Sequence, residues 1–103
     1  MPIHMPPKTI IKKTGKLPGK TLAIFAGIHG NEKVGIITLK KLIREVKIKA
    51  GTVYFVFANP LAIEKGKRMV NANMNRLFSR DVVGTDPEHK RAKKLMDLLD
   101  TCD

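Results

Sequence analysis

Two short apolar runs separated by an amphipathic segment constrain the fold of this chain more than any other feature. The first run, residues 21–26, stops at Gly27, and the second, residues 53–58, stops at Asn59 and Pro60. Apolar runs of this length bounded by Gly, Asn or Pro are typical of strands covered on both faces. Between the runs, apolar side chains recur at helical spacing, at Ile36, Leu39, Ile43 and Val46. The pattern predicts strand, helix, strand with a right-handed crossover, and an α/β fold with a largely parallel or mixed sheet and flanking helices.

The flanking segments divide the chain into two regions. Residues 1–20 hold a proline-rich leader, then Ile10 and Ile11 and a turn at residues 15–19, which together predict an edge hairpin. After the second run, a short helix at residues 61–65 and a polar loop lead to a last helix that Asp86 caps. The apolar face of that last helix is predicted to hold Ala92, Leu95, Met96 and Leu99. Residues 21–103 therefore form the α/β region.

The charge balance narrows the classes of partner. A formal net charge of +11 attracts anions, which include nucleic acid, an anionic membrane surface and a carboxylate substrate. Aromatic residues make up 5% of the chain, too few for the stacking platforms of a single-strand binder. One cysteine excludes an intramolecular disulfide, and no apolar stretch approaches the ~18 residues of a membrane span. We expect a cytoplasmic protein whose partner is not a nucleic acid.

His29 and Glu32 lie three residues apart, where the first strand gives way to the helix. One imidazole and one carboxylate at this spacing can bind a single zinc ion, with ligand bonds of ~2.0 to 2.2 Å. The same pair also fits a surface histidine beside a glutamate in the first turn of a helix. Gly27 and Gly30 allow a tight turn around His29, and open α/β sheets place their sites at the ends of strands. This context favours a metal site over a surface histidine.

Two motifs carry a resemblance to a known family. The first is Gly-Ile-His-Gly-Asn-Glu at residues 27–32, and the second is a block at residues 59–78 in which Arg68 is followed seven residues later by the pair Asn75 and Arg76. From about Leu22 to Phe78 the chain resembles the succinylglutamate desuccinylase/aspartoacylase family of zinc-dependent amidohydrolases. The resemblance implies a partial zinc-carboxypeptidase-like fold, truncated before its later strands. Residues 21–103 would be the amino-terminal portion of the catalytic domain.

The resemblance also implies a role for each matched residue. His29 and Glu32 would hold zinc, which activates water and polarises the scissile carbonyl. Arg68 would stabilise the developing oxyanion, and Asn75 with Arg76 would bind the substrate carboxylate. The implied reaction is hydrolysis of the amide bond of an anionic N-acyl amino acid, whose acyl group and amino acid stay open. Members of the family commonly carry Asp where this chain has Asn73, so we expect a lost or weakened contact there.

A catalytic zinc site normally has three protein ligands, and two are accounted for. The resemblance places the third, a histidine in an Asp-x-His motif, and the general base after the point where this sequence ends. We expect weak zinc binding and no hydrolysis by these residues alone. An apolar sheet edge would pair with a complementing carboxyl-terminal chain or with a second copy. No other residue is expected to be the third ligand: His4 lies in the leader and Cys102 lacks a supporting spacing. His89 is expected in solvent at the helix end away from the site.

Three alternatives to a zinc deacylase remain open. A non-catalytic remnant would bind an anionic partner through its basic surface, and its zinc binding would not depend on His29 or Glu32. A nucleic-acid binder has only the charge in its favour. A peptide carboxypeptidase-like fragment shares the zinc motif, but the short spacing from Arg68 to Asn75 and Arg76 favours the aspartoacylase branch.

Overall fold

The computed structural model describes Met5 and residues 8–103, so His4 and most of the predicted leader lie outside the described residues. The chain folds as mixed α/β, as predicted. Its elements in chain order are strand β1 (Ile10–Thr14), strand β2 (Leu17–Ala26), helix α1 (Lys33–Glu45), strand β3 (Ala50–Phe57), helix α2 (Pro60–Lys65), a 3₁₀ turn (Met74–Arg76) and helix α3 (Pro87–Leu99).

The three strands form one mixed sheet in the order β1-β3-β2. β2 pairs with β3 in parallel, which confirms the parallel strand-helix-strand unit, whereas β1 pairs with β3 antiparallel. The predicted hairpin within residues 1–20 is therefore wrong, because β1 and β2 lie on opposite sides of β3. The connection between them is held to the central strand by a hydrogen bond from Gly15 N–H to Gly51 O at 2.8 Å. β2 also begins at Leu17, inside the predicted turn.

Apolar side chains of β3 alternate between two small cores, one on each face of the sheet. The first core packs against α1 and contains Ile36, Leu39, Val53, Phe55 and Phe57. The second packs against α3 and contains Val56, Ala58, Met74, Leu77, Ala92 and Leu95. Because β3 is central and covered on both faces, a continuous apolar run suits it.

β2 does not match the prediction of a strand covered on both faces. Leu22 is 52% exposed and Ile24 is 39% exposed, since β2 is an edge strand with β3 on one side. At its other side, Asp103 N–H donates to Thr21 O at 2.9 Å.

Leu99, predicted on the buried face of α3, is 40% exposed at the end of that helix. No helix in the described part of the chain is long and apolar enough to cross a membrane.

Candidate functional site

The site lies where β2 and β3 end side by side. Hydrogen bonds join the two segments beyond the strand ends, because Ala58 N–H donates to Ala26 O at 2.8 Å and Asn59 N–H donates to Gly27 O at 3.1 Å. The loop that carries His29 and the helix α2 that follows Asn59 therefore start next to one another. This position agrees with the strand-end site that the sequence indicates.

Two glycines allow the His29 loop to pack tightly against α2. Gly27 has φ +74°, a left-handed conformation, and a Cβ there would meet the Ile63 side chain. A Cβ at Gly30 would overlap the backbone of Ala62 and the carbonyl oxygen of Lys67. Glycine is required at both positions for steric reasons, which explains why the motif has the form Gly-x-His-Gly.

His29 and Glu32 are in direct contact. His29 Nδ1 lies 3.0 Å from Glu32 Oε1, and the two side chains are 18% and 67% exposed. The histidine is thus largely enclosed, while the carboxylate opens to solvent just before α1 begins at Lys33. The sequence predicted that these two side chains can meet at one point, and the structure brings them together.

The amide of Asn73 holds the other side of the His29 ring. Asn73 Oδ1 lies 3.0 Å from His29 Nε2 and accepts a hydrogen bond from Asn75 N–H at 3.1 Å. Because a backbone N–H can only donate, the atom facing both groups is the amide oxygen, so the ring carries its proton on Nε2. The expected loss of a contact at Asn73 is only partial, since a neutral amide keeps the hydrogen bond without the charge of a carboxylate.

This arrangement fits two ligands of a metal ion. With the proton on Nε2, the lone pair of Nδ1 faces the Glu32 carboxylate, and two acceptors at 3.0 Å repel unless a proton or a cation lies between them. Two ligands of a tetrahedral zinc ion with bonds of ~2.0 to 2.1 Å lie ~3.3 Å apart, close to the observed separation. A hydrogen-bond acceptor on the far nitrogen is the usual support of a metal-bound histidine.

A second histidine-carboxylate pair in the chain has a different explanation. His89 Nδ1 lies 2.8 Å from Asp86 Oδ1, again three residues apart. The same Asp86 oxygen accepts His89 N–H at 2.9 Å as the cap of α3, and the hydrogen bonds from the backbone and ring of His89 hold the pKa of Asp86 below its ordinary value. His89 is not the solvent residue that the sequence predicted, because its side chain is only 18% exposed.

The three predicted substrate residues are connected through backbone hydrogen bonds to the loop of His29 and to Asn73. Arg68 O accepts a hydrogen bond from Gly30 N–H at 3.2 Å, which places Arg68 beside the His29 loop. Asn75 and Arg76 form the 3₁₀ turn that Asn73 caps, and Arg76 N–H donates to Asn73 O at 3.0 Å. All three side chains are exposed, and within the described residues no carboxylate holds either guanidinium.

Glu88 and Asn59 belong to the same region, and sequence reasoning missed both. Glu88 is 1% exposed, and its carboxylate accepts hydrogen bonds from Asn59 Nδ2 at 2.9 Å and Val70 N–H at 2.8 Å. It also accepts from the N–H groups of Asn71 and Ala72. Burial alone would raise the pKa of Glu88, but these four hydrogen bonds outweigh it and hold the pKa below its ordinary value.

The position of Glu88 also corrects an expectation about α3. Its first turn was predicted to lie away from the site, yet it contacts the loop that leads to Asn73. One signal was available in the sequence, because Glu88 lies four and seven residues before the buried Ala92 and Leu95 and so shares their face.

Across the described residues, no group of three or more His, Cys, Asp and Glu side chains could hold a metal ion.

Comparison with known proteins gives matches along most of the chain. Residues 18–102 match the model of the succinylglutamate desuccinylase/aspartoacylase catalytic domain. A succinylglutamate desuccinylase of Shewanella sp. (strain MR-7) is 35% identical over 99 residues, which cover 88% of this chain and 29% of that relative. One from Pseudomonas aeruginosa (strain LESB58) is 46% identical over 84 residues, which cover 75% and 25%.

Solved structures give the same result. The crystal structure of a succinylglutamate desuccinylase from Vibrio cholerae aligns with a TM-score of 0.78 and 26% identity, over 89% of this chain and 29% of that one. The structure of an aspartoacylase family protein from Mesorhizobium loti aligns with a TM-score of 0.74 and 26% identity, over 91% and 32%. The chain therefore spans about 30% of the length of the proteins that it resembles.

Proposed function

This chain belongs to the succinylglutamate desuccinylase/aspartoacylase family, and from that membership we propose that it forms part of a zinc-dependent amidohydrolase that cleaves anionic N-acyl amino acids. One observation carries the proposal: His29 Nδ1 and Glu32 Oε1 lie 3.0 Å apart while Asn73 holds the opposite ring nitrogen. A cation between the two atoms would remove their repulsion. Since the chain spans 29% of the length of its Shewanella relative, a third ligand and a general base would come from the rest of such a domain.

We assign His29 and Glu32 as the metal ligands of this chain. When bound, zinc supplies a Lewis acid that polarises the amide carbonyl of the substrate. The exposed Glu32 carboxylate leaves room at that point for a substrate and for further ligands, whereas the enclosed His29 ring is fixed by Asn73. A ring held in one orientation and one tautomer loses little freedom when it binds a metal ion.

We assign Arg68 to the oxyanion of the reaction and Asn75 with Arg76 to the substrate carboxylate. The hydrogen bond from Gly30 N–H to Arg68 O holds the Arg68 backbone beside the His29 loop, and from there its exposed side chain would stabilise the oxyanion. Arg76 lies on the turn that Asn73 caps, and its planar guanidinium can bind a carboxylate through two parallel hydrogen bonds. The anionic substrate matches the net charge of +11.

Zinc titration of the 103-residue chain tests the metal assignment. Isothermal calorimetry with a competing chelator should give one zinc per chain, and His29→Ala or Glu32→Ala should weaken the affinity at least ~10-fold, since each removes a direct ligand. His89→Ala is the matched control, because it removes a histidine of equal exposure next to another carboxylate. Equal affinity in all four proteins would favour the non-catalytic remnant instead.

Binding of N-succinyl-L-glutamate and N-acetyl-L-aspartate tests the substrate assignment. Arg76→Lys keeps the charge but loses the planar fork, so we expect it to weaken binding of either ligand, while the exposed Arg44→Lys in α1 should not. We expect no turnover from these residues alone, because two protein ligands do not complete a catalytic zinc site. Measured turnover that His29→Ala abolishes would contradict that expectation.

We further propose that the free side of β2 pairs with a complementing segment or with a second copy of the chain, in the cytoplasm. Leu22 and Ile24 leave apolar surface exposed on this edge strand, and one residue, Asp103, already bonds to Thr21 there. Sedimentation velocity over a concentration series should show association that Ile24→Lys reduces. A monomer at every concentration would exclude self-association.

A further inference from the structure

Glu88 is the one fully buried carboxylate in the described part of the chain. All of its hydrogen bonds come from one loop and from the side chain of Asn59. Its two oxygens accept four hydrogen bonds, three of them from the consecutive N–H groups of residues 70–72. Asn59 Nδ2 donates the fourth at 2.9 Å. A carboxylate has about four acceptor sites, so none is left for solvent or for another partner.

The loop that Glu88 holds lies between the two halves of the proposed site. Arg68 is two residues before it, and Asn73 follows it directly. Asn73 in turn bonds to His29 Nε2 at 3.0 Å and caps the turn that carries Asn75. A displacement of residues 70–72 would therefore move the acceptor of the His29 ring, and it would change the distance between Arg68 and Asn75.

Burying a carboxylate is unfavourable in free energy compared with burying an apolar side chain. Burial of an ionised group costs several kcal/mol unless hydrogen bonds compensate it, and an apolar side chain of similar volume usually stabilises at least as well. Consecutive backbone N–H groups that converge on one point form an anion-binding concavity. Here the protein fills that concavity with its own carboxylate, which fixes the backbone of three successive residues at once.

We infer that Glu88 is a positioning residue of the metal site: by holding residues 70–72 it sets the place of Asn73, and through Asn73 the orientation of the His29 ring. This inference rests on the proposed function, because it takes His29 as a ligand. Glu88 does not touch the metal or the substrate. Its role is distinct from plain stabilisation, since it acts on a loop that carries site residues on both sides.

Glu88→Gln in the full 103-residue chain tests the inference. The Gln side chain has nearly the same shape as Glu. Its NH₂ group is a donor, however, and it would face backbone N–H groups that now donate to the carboxylate. We expect zinc to bind about 10-fold more weakly, the lower end of what loss of indirect support costs a metal site. The amide proton signals of residues 70–72 should move upfield as their charged acceptor is lost.

Val53→Ala is the matched control, because Val53 is a buried residue in the middle of β3 and away from the loop. It should destabilise the fold but leave the zinc affinity within 2-fold, measured where both variants are folded by circular dichroism. If Glu88→Gln does not fold, Glu88→Asp keeps the charge but withdraws the carboxylate, and a weaker zinc affinity is expected there too.

The possible results distinguish a positioning role of Glu88 from a role in stability alone. A zinc affinity that stays unchanged in the folded Glu88 variant, or falls equally in Val53→Ala, would show that Glu88 only stabilises the fold. In that case His29→Ala would still weaken zinc binding at least ~10-fold, and the proposed function would stand. If His29→Ala also leaves zinc binding unchanged, the metal site itself is wrong, and the inference falls with it.

Discussion

The amide oxygen of Asn73 lies 3.0 Å from His29 Nε2 and 3.1 Å from the backbone nitrogen of Asn75, so one side chain joins the loop that carries His29 to the 3₁₀ turn that carries Asn75. The hydrogen bond to the ring fixes its tautomer. The bond to the turn fixes the position of the residues assigned to the substrate carboxylate. Substitutions of Asn73 should therefore affect both zinc binding and substrate binding, without removing any residue that is assigned as a direct contact of either.

Asn73→Asp should raise the zinc affinity of the chain by ~10-fold, because a carboxylate accepts a stronger hydrogen bond from the ring and makes it a better electron donor. Asn73→Ala removes the acceptor and should lower the affinity by a similar factor. Chelator-competition titrations of the two variants beside the parent chain measure both effects. The same affinity in all three proteins would mean that the contact between Asn73 and His29 has no part in metal binding.

Gly30→Ala should destabilise the fold by ~1 to 3 kcal/mol, because the new Cβ overlaps the backbone of Ala62 and Lys67, which cannot move independently of α2. Gly35→Ala in α1 is the matched control. Its Cβ would meet only Ala26 Cβ at 3.9 Å, and Ala in a helix is favoured over Gly by ~0.5 to 1 kcal/mol. Urea unfolding should therefore shift in opposite directions for the two variants, and a stabilising Gly30→Ala would contradict the packing described.

The parts of this fold that the sequence predicted are those set by local pattern. The apolar run at residues 53–58 marks the central strand β3, and Asp86 with Pro87 marks the start of α3 at the observed residue. His29 and Glu32 are three residues apart, so their contact follows from one turn of backbone. Each of these features needs little information from elsewhere in the chain.

The parts that the sequence did not predict depend on contacts between distant residues. Strands that follow one another in the sequence usually pair, yet β1 pairs with β3 and not with β2. Glu88 looks like an ordinary glutamate in the first turn of a helix, where an exposed carboxylate is favoured. Its burial depends on N–H groups 16 to 18 residues earlier in the chain. The bond from Asn73 to His29 spans 44 residues, and no local rule predicts it.

Arg91→Ala should lower the free energy of unfolding by ~1 to 3 kcal/mol. The guanidinium joins α3 to the end of β3, since Nε donates to Ala58 O at 3.1 Å and Nη2 donates to Phe57 O at 3.0 Å. Truncation leaves two partly buried carbonyls without these donors. Lys94→Ala, an exposed change on the same helix, should stay within ~0.5 kcal/mol of the parent in chemical denaturation. Equal stability of the two variants would show that the contacts of Arg91 contribute nothing.

Glu88 should also make the stability of the chain depend on pH. Its pKa in the folded state lies below the ordinary value of 4.5, because four hydrogen bonds outweigh the effect of burial. The folded state therefore binds fewer protons than the unfolded state in this window, so the free energy of unfolding rises with pH there. The contribution of Glu88 is fully present above pH 4.5 and is lost as the pH falls through the lower, folded value.

Urea unfolding of the parent chain and of Glu88→Gln at pH 7, 5, 4 and 3 measures this contribution as a difference between the two proteins. The difference removes the effect of Asp86, whose pKa is also held low, by the hydrogen bond from the backbone of His89. We expect the parent to be more stable at pH 7 by ~1 to 3 kcal/mol and the gap to narrow below about pH 4.5. Glu45→Gln, an exposed change in α1, controls for the general loss of a carboxylate. A gap that is constant from pH 7 to pH 3 would mean that the pKa of Glu88 is the same in the folded and unfolded states, which contradicts the lowered pKa.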